Sequence, residues 1–147
     1  MKYLFDSNTL SDLYNVNSAQ HHSISKKLSQ LSNSDELAIS IVTLYELEYA
    51  YHNAPDTKKM IIRNDINHLK QNFIILPLSA KSAEVFGLLK KKFKDLALIS
   101  KENIKKHNID IMLASVAICE PCVLISADKI YSSLQTLTNG LYVEDWT

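Results

Sequence analysis

Four acids in this sequence stand where an apolar, strand-like run gives way to a helical pattern, or where such a helical pattern opens: Asp6, Glu46, Asp110 and Asp128. If folding gathers them, their chemistry is constrained. Two carboxylates about 4 Å apart repel by roughly 4 kcal/mol at an effective dielectric of about 20. A group of three or four must then share protons or take up a cation. The only arginine, Arg63, is distant in sequence from all four acids, and lysines could reach them only through folding. An all-oxygen donor set suits a hard divalent ion such as Mg2+ or Mn2+. Such an ion activates water and offsets charge on a phosphoryl oxygen, which is the chemistry of phosphodiester hydrolysis.

Each acid also fits a purely architectural role. Asp6 could cap the helix after it. Thr43-Leu44-Tyr45-Glu46 has the spacing of a capping box. Asp110 suits the positive end of a helix, and Ser126-Ala127-Asp128 reads as a cap before a turn. Asp110 is the hardest to explain in this way. Its neighbours Ile109, Met112, Leu113, Ala114 and Val116 make its helix apolar nearly all round, hence buried. A lone buried carboxylate is costly and needs a partner.

The elements that must position these acids follow from periodicity. Residues 2–6 read as a short buried strand ending in Asp6. Residues 9–15 and 18–32 read as helices, the second carrying Ile24, Leu28 and Leu31 on one face. Residues 37–42 form a continuous apolar run, the mark of a strand covered on both faces. A helix follows over 43–51, and another runs from Asp56 or Thr57 to about Leu69. Residues 73–76 give a third strand, and Ser79 caps a helix running to about Lys94. The stretch 95–107 fits no single pattern. A strongly helical segment carries Ile109 to Val116 and ends at Pro121. Residues 122–126 form a fourth strand, a short helical turn follows Asp128, and 141–143 can add a fifth strand. Short apolar strands alternating with helices imply βαβ crossovers and a mostly parallel sheet. In such sheets, ligands bind beyond the carboxyl ends of the strands, which is where Asp6, Glu46 and Asp128 lie.

The bulk properties agree with one ordinary domain over residues 1–147. The chain is 46% hydrophobic and 22% charged, with 2 glycines and 3 prolines, so collagen-like, linker-like and disordered classes are excluded. Its 16 basic and 16 acidic residues balance. A duplex-coating protein would be basic, but a local basic patch still permits nucleic-acid contact. No run is long and apolar enough to span a membrane, and the first residues do not read as a signal peptide, so a cytoplasmic protein is expected. Cys119 and Cys122 form one C-x-x-C at the end of a helix rather than the start, and read as two small apolar side chains.

The ordered segments resemble a known family. Phe5-Asp6-Ser7-Asn8-Thr9-Leu10, Ile39 to Leu47 with Thr43 and Glu46, Asp110-Ile111-Met112-Leu113-Ala114-Ser115, Leu124-Ile125-Ser126-Ala127-Asp128 and Val143-Glu144-Asp145-Trp146 resemble, in order and spacing, the motifs of PIN-domain toxins of the VapC type. The resemblance implies an α/β/α sandwich with a central, mostly parallel sheet of four to five strands. It implies an endoribonuclease dependent on Mg2+ or Mn2+. Asp6, Glu46 and Asp110 would be the core metal-holding and catalytic acids, Asp128 the fourth, and Asn8 and Ser126 their polar supports. A cognate VapB-like antitoxin and a second copy of the chain would be its partners. The sequence departs from the family at Lys105–Ile109, which lacks the usual glycine and sets Asn108 one residue further from the acid.

Two rival readings remain. Asp6-Ser7-Asn8-Thr9 faintly resembles the opening of haloacid-dehalogenase-like phosphatases, but Asn8 stands where that chemistry needs a second acid. A catalytically silent PIN-like module that binds RNA or protein is the alternative, although all four acids are present. His21, His22, His52 and His68 show no metal-ligand spacing. His107 is near enough to Asp110 in sequence to meet substrate, but reads first as a surface histidine. Tyr45, Tyr49 and Tyr51 read as core or dimer contacts. Lys90–Lys94 and Lys101–Lys106 are the basic concentrations, and Lys105 and Lys106 are the candidate phosphate contacts with RNA. Replacing Lys105 and Lys106 with Gln is expected to weaken RNA binding and to flatten the log–log salt slope by about 1.4 for single-stranded contacts. Filter binding across a salt series that gave unchanged affinity and slope would make them ordinary solvated side chains.

Overall fold

The computed structural model describes residues 1–97 and 100–147. In chain order the elements are β1 (Lys2–Phe5), α1 (Ser7–Tyr14), α2 (His21–Ser29), β2 (Glu36–Ser40), α3 (Ile41–Asn53), α4 (Asp56–Asn72), β3 (Ile74–Leu76), α5 (Ala80–Ala97), a 3-10 turn (Asn103–His107), α6 (Asn108–Cys119), β4 (Val123–Ile125), α7 (Ile130–Gln135) and β5 (Tyr142–Glu144). The strands form one sheet in the order β3-β2-β1-β4-β5, every pair parallel. In register, Leu4 lies between Ala38 and Leu124, and Phe5 between Ile39 and Ile125.

Side chains alternate across a pleated strand, and here the alternation divides the core in two. Leu4, Ala38, Leu76 and Leu124 face one way and pack with residues of α5, α6 and α7, including Leu89, Phe93, Ile111, Leu113, Tyr131 and Leu134. Phe5, Ile39, Val123 and Ile125 face the other way, onto Leu10 of α1, Ile24 of α2, Leu69 of α4 and Trp146. This is an α/β/α sandwich with a parallel five-stranded sheet, as the sequence implied. Burial on both faces explains why the strands read as unbroken apolar runs rather than as polar–apolar alternation. Trp146 is buried on the Phe5 face of the sheet, its ring tilted against Tyr3 at 5.3 Å and edge-on to Phe5 at 5.4 Å.

Several boundaries differ from those the sequence suggested, each for a local reason. The apolar run 37–42 does not stay a strand. Ser40, fully buried, accepts the Val42 N–H at 3.2 Å and starts α3 at Ile41. Glu46 therefore lies in the second turn of α3, and no capping box joins it to Thr43, whose hydroxyl is buried without a partner. The helix expected over 18–32 is shortened to His21–Ser29 by a turn in which the Ser18 hydroxyl donates to Asp12 at 2.7 Å. Ser79 does cap α5: its hydroxyl accepts the Ser82 N–H at 3.1 Å, and Ser82 returns the bond at 2.9 Å. Of the unassigned stretch 95–107, α5 claims residues to Ala97 and the 3-10 turn claims Asn103–His107. Residues 98 and 99 lie outside the described residues.

The single arginine is committed elsewhere in the fold. Arg63 forks onto Glu48 at 2.9 and 2.8 Å, and its guanidinium lies 4.1 Å from the Tyr51 ring, which ties α4 to α3. Both cysteines are free thiols. Cys122 is buried, and burial pushes its thiol up to about 11, so it packs as an apolar group and not as a nucleophile. Among the described residues, no helix is long and apolar enough to cross a membrane.

Candidate active site

The strand order reverses between β1 and β4. β1 leads to β2 on one side, while β4 joins β1 on the other. At such a switch point, the loops leaving the two strands part and open a crevice at their carboxyl ends. Asp6 is the first residue past β1, and Ser126 the first past β4. Asp6 is only 5% exposed. One of its carboxylate oxygens accepts the Thr9 N–H at 2.8 Å, which makes it the cap of α1. The other accepts the hydroxyl of Ser126, itself buried. The Ser126 oxygen in turn accepts the Asp128 N–H at 3.1 Å. Thr9 adds a bond across the same joint, its hydroxyl donating to the Ile125 carbonyl at 3.2 Å. The architectural role foreseen for Asp6 is thus real, and it fixes the carboxylate at the crevice.

The other acids arrive on separate elements. Glu46, on α3, is exposed at the rim, and its carboxyl is raised above the ordinary glutamate range, first by burial and then by Asp110 and Asp6. Asp110, in the first turn of α6, has a 28% exposed side chain. It too is raised, first by burial, then by Asp128 and Asp6, while His107 and a bond from Tyr131 pull the other way. Asp128 is exposed and caps the turn into α7, accepting the Ile130 N–H at 3.1 Å. The four acids named from sequence therefore bear electrostatically on one another at one end of the sheet.

Among the described residues, no three His, Cys, Asp or Glu groups close into a ready-made cage. Like charges keep their distance, and drawing them together requires a cation between them. The donor set fits a divalent ion held by oxygen. Several carboxylates converge, and neither arginine nor lysine is among the groups that shift Glu46 or Asp110. Asp6, Glu46 and Asp110 are the residues that would hold such an ion, with Asp128 at the edge.

The two polar groups named from the sequence as supports stand differently in the structure. Ser126 is bonded directly to Asp6, whereas Asn8 is exposed on α1 and the bonds nearby are made by Thr9. Tyr131 went unnoticed in the sequence. It is 1% exposed on α7, and its hydroxyl donates to Asp110 at 3.4 Å. The only available signal was its place three residues after Asp128, in a turn otherwise read as a connector. His107 sets its Nδ1 3.8 Å from the second Asp110 oxygen, with its ring edge-on to Phe93 at 5.4 Å. Lys105 and Lys106 are exposed on the 3-10 turn that leads into α6. Tyr45 and Tyr49 are 73% and 71% exposed, so they are not core residues.

The raised Asp110 carboxyl has a consequence for stability. A group raised in the folded state favours folding while protonated, and that contribution is lost as pH rises through the elevated value. At neutral pH without divalent metal, ionised Asp110 therefore works against the fold. Asp110→Asn is expected to raise Tm by about 2–4 °C at neutral pH. The gain should vanish near pH 3, below the ordinary aspartate value of about 3.9. Thermal denaturation in EDTA showing an unchanged or lower Tm at neutral pH would contradict this.

Comparison with known proteins agrees with the topology. A chain of VapBC2 from Rickettsia felis, solved with a DNA fragment from its promoter, superposes with a TM-score of 0.79 at 23% identity, covering 100% of both chains. A chain of VapBC-1 from nontypeable Haemophilus influenzae gives 0.78 at 22% identity over 99% of this chain and 98% of that one. VapC20 of Mycobacterium tuberculosis, described as a sarcin-ricin-loop-cleaving toxin, gives 0.57 at 12% identity over 89% and 93%. At these identities, the likeness is one of fold. No curated protein matches the sequence at a significant level. The family model described as PIN domain matches residues 3–136, nearly the whole span that builds the sheet and brings the acids together, and the chain belongs to the PIN domain family.

Proposed function

We propose that this chain is the toxin of a VapBC-type toxin–antitoxin pair: an endoribonuclease, dependent on Mg2+ or Mn2+, that hydrolyses phosphodiester bonds in structured RNA such as tRNA or ribosomal RNA. The observation that carries this reading is the convergence of Asp6, Glu46, Asp110 and Asp128 at the switch point of a parallel sheet, with neither lysine nor arginine among the groups that shift Glu46 or Asp110. The VapBC complexes among its structural neighbours, and the RNA-loop-cleaving activity named for one of them, support the reading.

In this reading, Asp6 and Asp110 hold the ion, and Asp128 adds a ligand at the rim. A bound Mg2+ or Mn2+ supplies an activated water and charge to set against the scissile phosphate. The side chains do the rest. Thr9 and Ser126 fix the Asp6 carboxylate, so little reorganisation is left for the reaction. Glu46, its carboxyl raised by partial burial and by Asp110 and Asp6, would hold the ion or orient the attacking water. Asn8, at the start of α1, is the other polar support in this account. Lys105, Lys106 and His107 lie just before the helix of Asp110 and would meet the RNA backbone in this reading. In-line attack by water leaves 5′-phosphate and 3′-hydroxyl ends. A VapB-like antitoxin and a second copy of the chain are its partners, and it acts in the cytoplasm.

Induced expression of the wild type is expected to arrest growth and to create discrete new RNA ends. Asp6→Asn, which keeps the cap geometry and removes the charge, is expected to abolish both. Soluble, folded wild type that caused no arrest and no new ends would indicate the silent binding module instead. Ends carrying 2′,3′-cyclic phosphate would rule out attack by water.

A further inference from the structure

The hydroxyl of Tyr131 lies on the protein side of the acid cluster. Tyr131 is almost wholly enclosed, at 1% exposure, within the core packed between α6, α7 and the sheet. A buried hydroxyl needs a partner. Here the partner is Asp110 Oδ1, at 3.4 Å, on a different helix. The second Asp110 oxygen faces His107 at 3.8 Å, toward the half-exposed side. The carboxylate is thus held between a fixed donor from the core and a side chain at the cleft edge. The same phenol is within electrostatic reach of Asp6 and Asp128 as well as Asp110.

From this geometry we propose that Tyr131 is a positioning residue for Asp110: its hydroxyl fixes the carboxylate from the core side and thereby sets the orientation in which Asp110 meets a divalent ion. The proposal rests on the reading of the acid cluster as a metal site. The arrangement follows the general rule that a ligating carboxylate is itself hydrogen-bonded, and that removing such a supporting group weakens metal affinity or activity about 10–100-fold. Tyr131 holds the α7 loop to α6 through one polar bond within an otherwise apolar contact. Tyr131→Phe therefore removes the donor while keeping the ring that fills the core. It strands no buried polar atom of its own, and the Asp110 oxygen it leaves can turn to water.

The test is Mn2+ affinity, read by the loss of free-ion EPR signal on titration, in the wild type, Asp110→Asn and Tyr131→Phe, with Tm measured on each. Tyr131→Phe is expected to keep its fold and to bind Mn2+ about tenfold more weakly. At saturating Mn2+, cleavage of RNA should lose kcat with KM unchanged, a split that looser packing alone would not give. Tyr131→Met, whose flexible side chain adapts best to the space left by the ring, is the second hydroxyl-less variant and should show the same loss. Wild-type affinity and kcat in a folded hydroxyl-less variant, alongside weakened binding in Asp110→Asn, would overturn the role of Tyr131 alone. Absence of Mn2+ binding by the wild type would overturn both the metal-site reading and the positioning role built on it.

Discussion

Asp6 is a carboxylate that has left water at the point where two parallel strands end, and the neighbouring structure is arranged around keeping it there. Burying such a group without compensation is prohibitive. It is compensated by the Thr9 N–H, which starts α1, and by the Ser126 hydroxyl, which comes from the end of β4. The Asp6 N–H donates to the Ile125 carbonyl at 3.2 Å, continuing the β1–β4 pairing into the joint. One side chain therefore couples the central strand, its neighbour and the first helix. The switch in strand order is what brings Ser126 within reach: a sheet with β1 at its edge would have no β4 beside it.

Around this fixed acid, the chain spends its positive charge elsewhere. Arg63 and Lys70 meet at Glu48, and Lys91 pairs with Asp95 four residues on. The formal balance of the whole sequence thus conceals a local excess of carboxylate at the sheet's carboxyl end. Such an excess is unfavourable to the fold by itself, and a bound cation would offset it. The neighbours that pull the Asp110 carboxyl back toward its ionised form are the His107 imidazole and the Tyr131 phenol, with no lysine or arginine among them.

Much of this was legible in the sequence because it is periodic. The fully buried parallel strands announce themselves as short unbroken apolar runs, and the helices as stripes at their own spacing. The four acids stood out because they fall beside those runs. What was not legible depends on contacts across the sheet. Nothing in the run 37–42 says that it turns into a helix at Ile41, because a buried strand and a buried helix start are equally apolar. The cap that decides it, Ser40, looks like one more small strand residue. The Ser126 hydroxyl donates to Asp6, while the bonds of Thr9 and Tyr131 depend on β4 lying beside β1 and on α7 packing against α6. The departure at Lys105–Ile109 resolves into a 3-10 turn that runs directly into α6, with His107 standing at its cap position and Asn108 as its first residue.

The central claim is that these carboxylates converge to bind a divalent ion. The most direct measurement is a crystal structure grown or soaked with Mn2+, examined by anomalous difference density. A single strong peak, or a pair, coordinated by Asp6 and Asp110 with Glu46 turned inward to meet it, is the result this account predicts. A clean map at saturating Mn2+, with the four carboxylates standing as they do without metal, would contradict it.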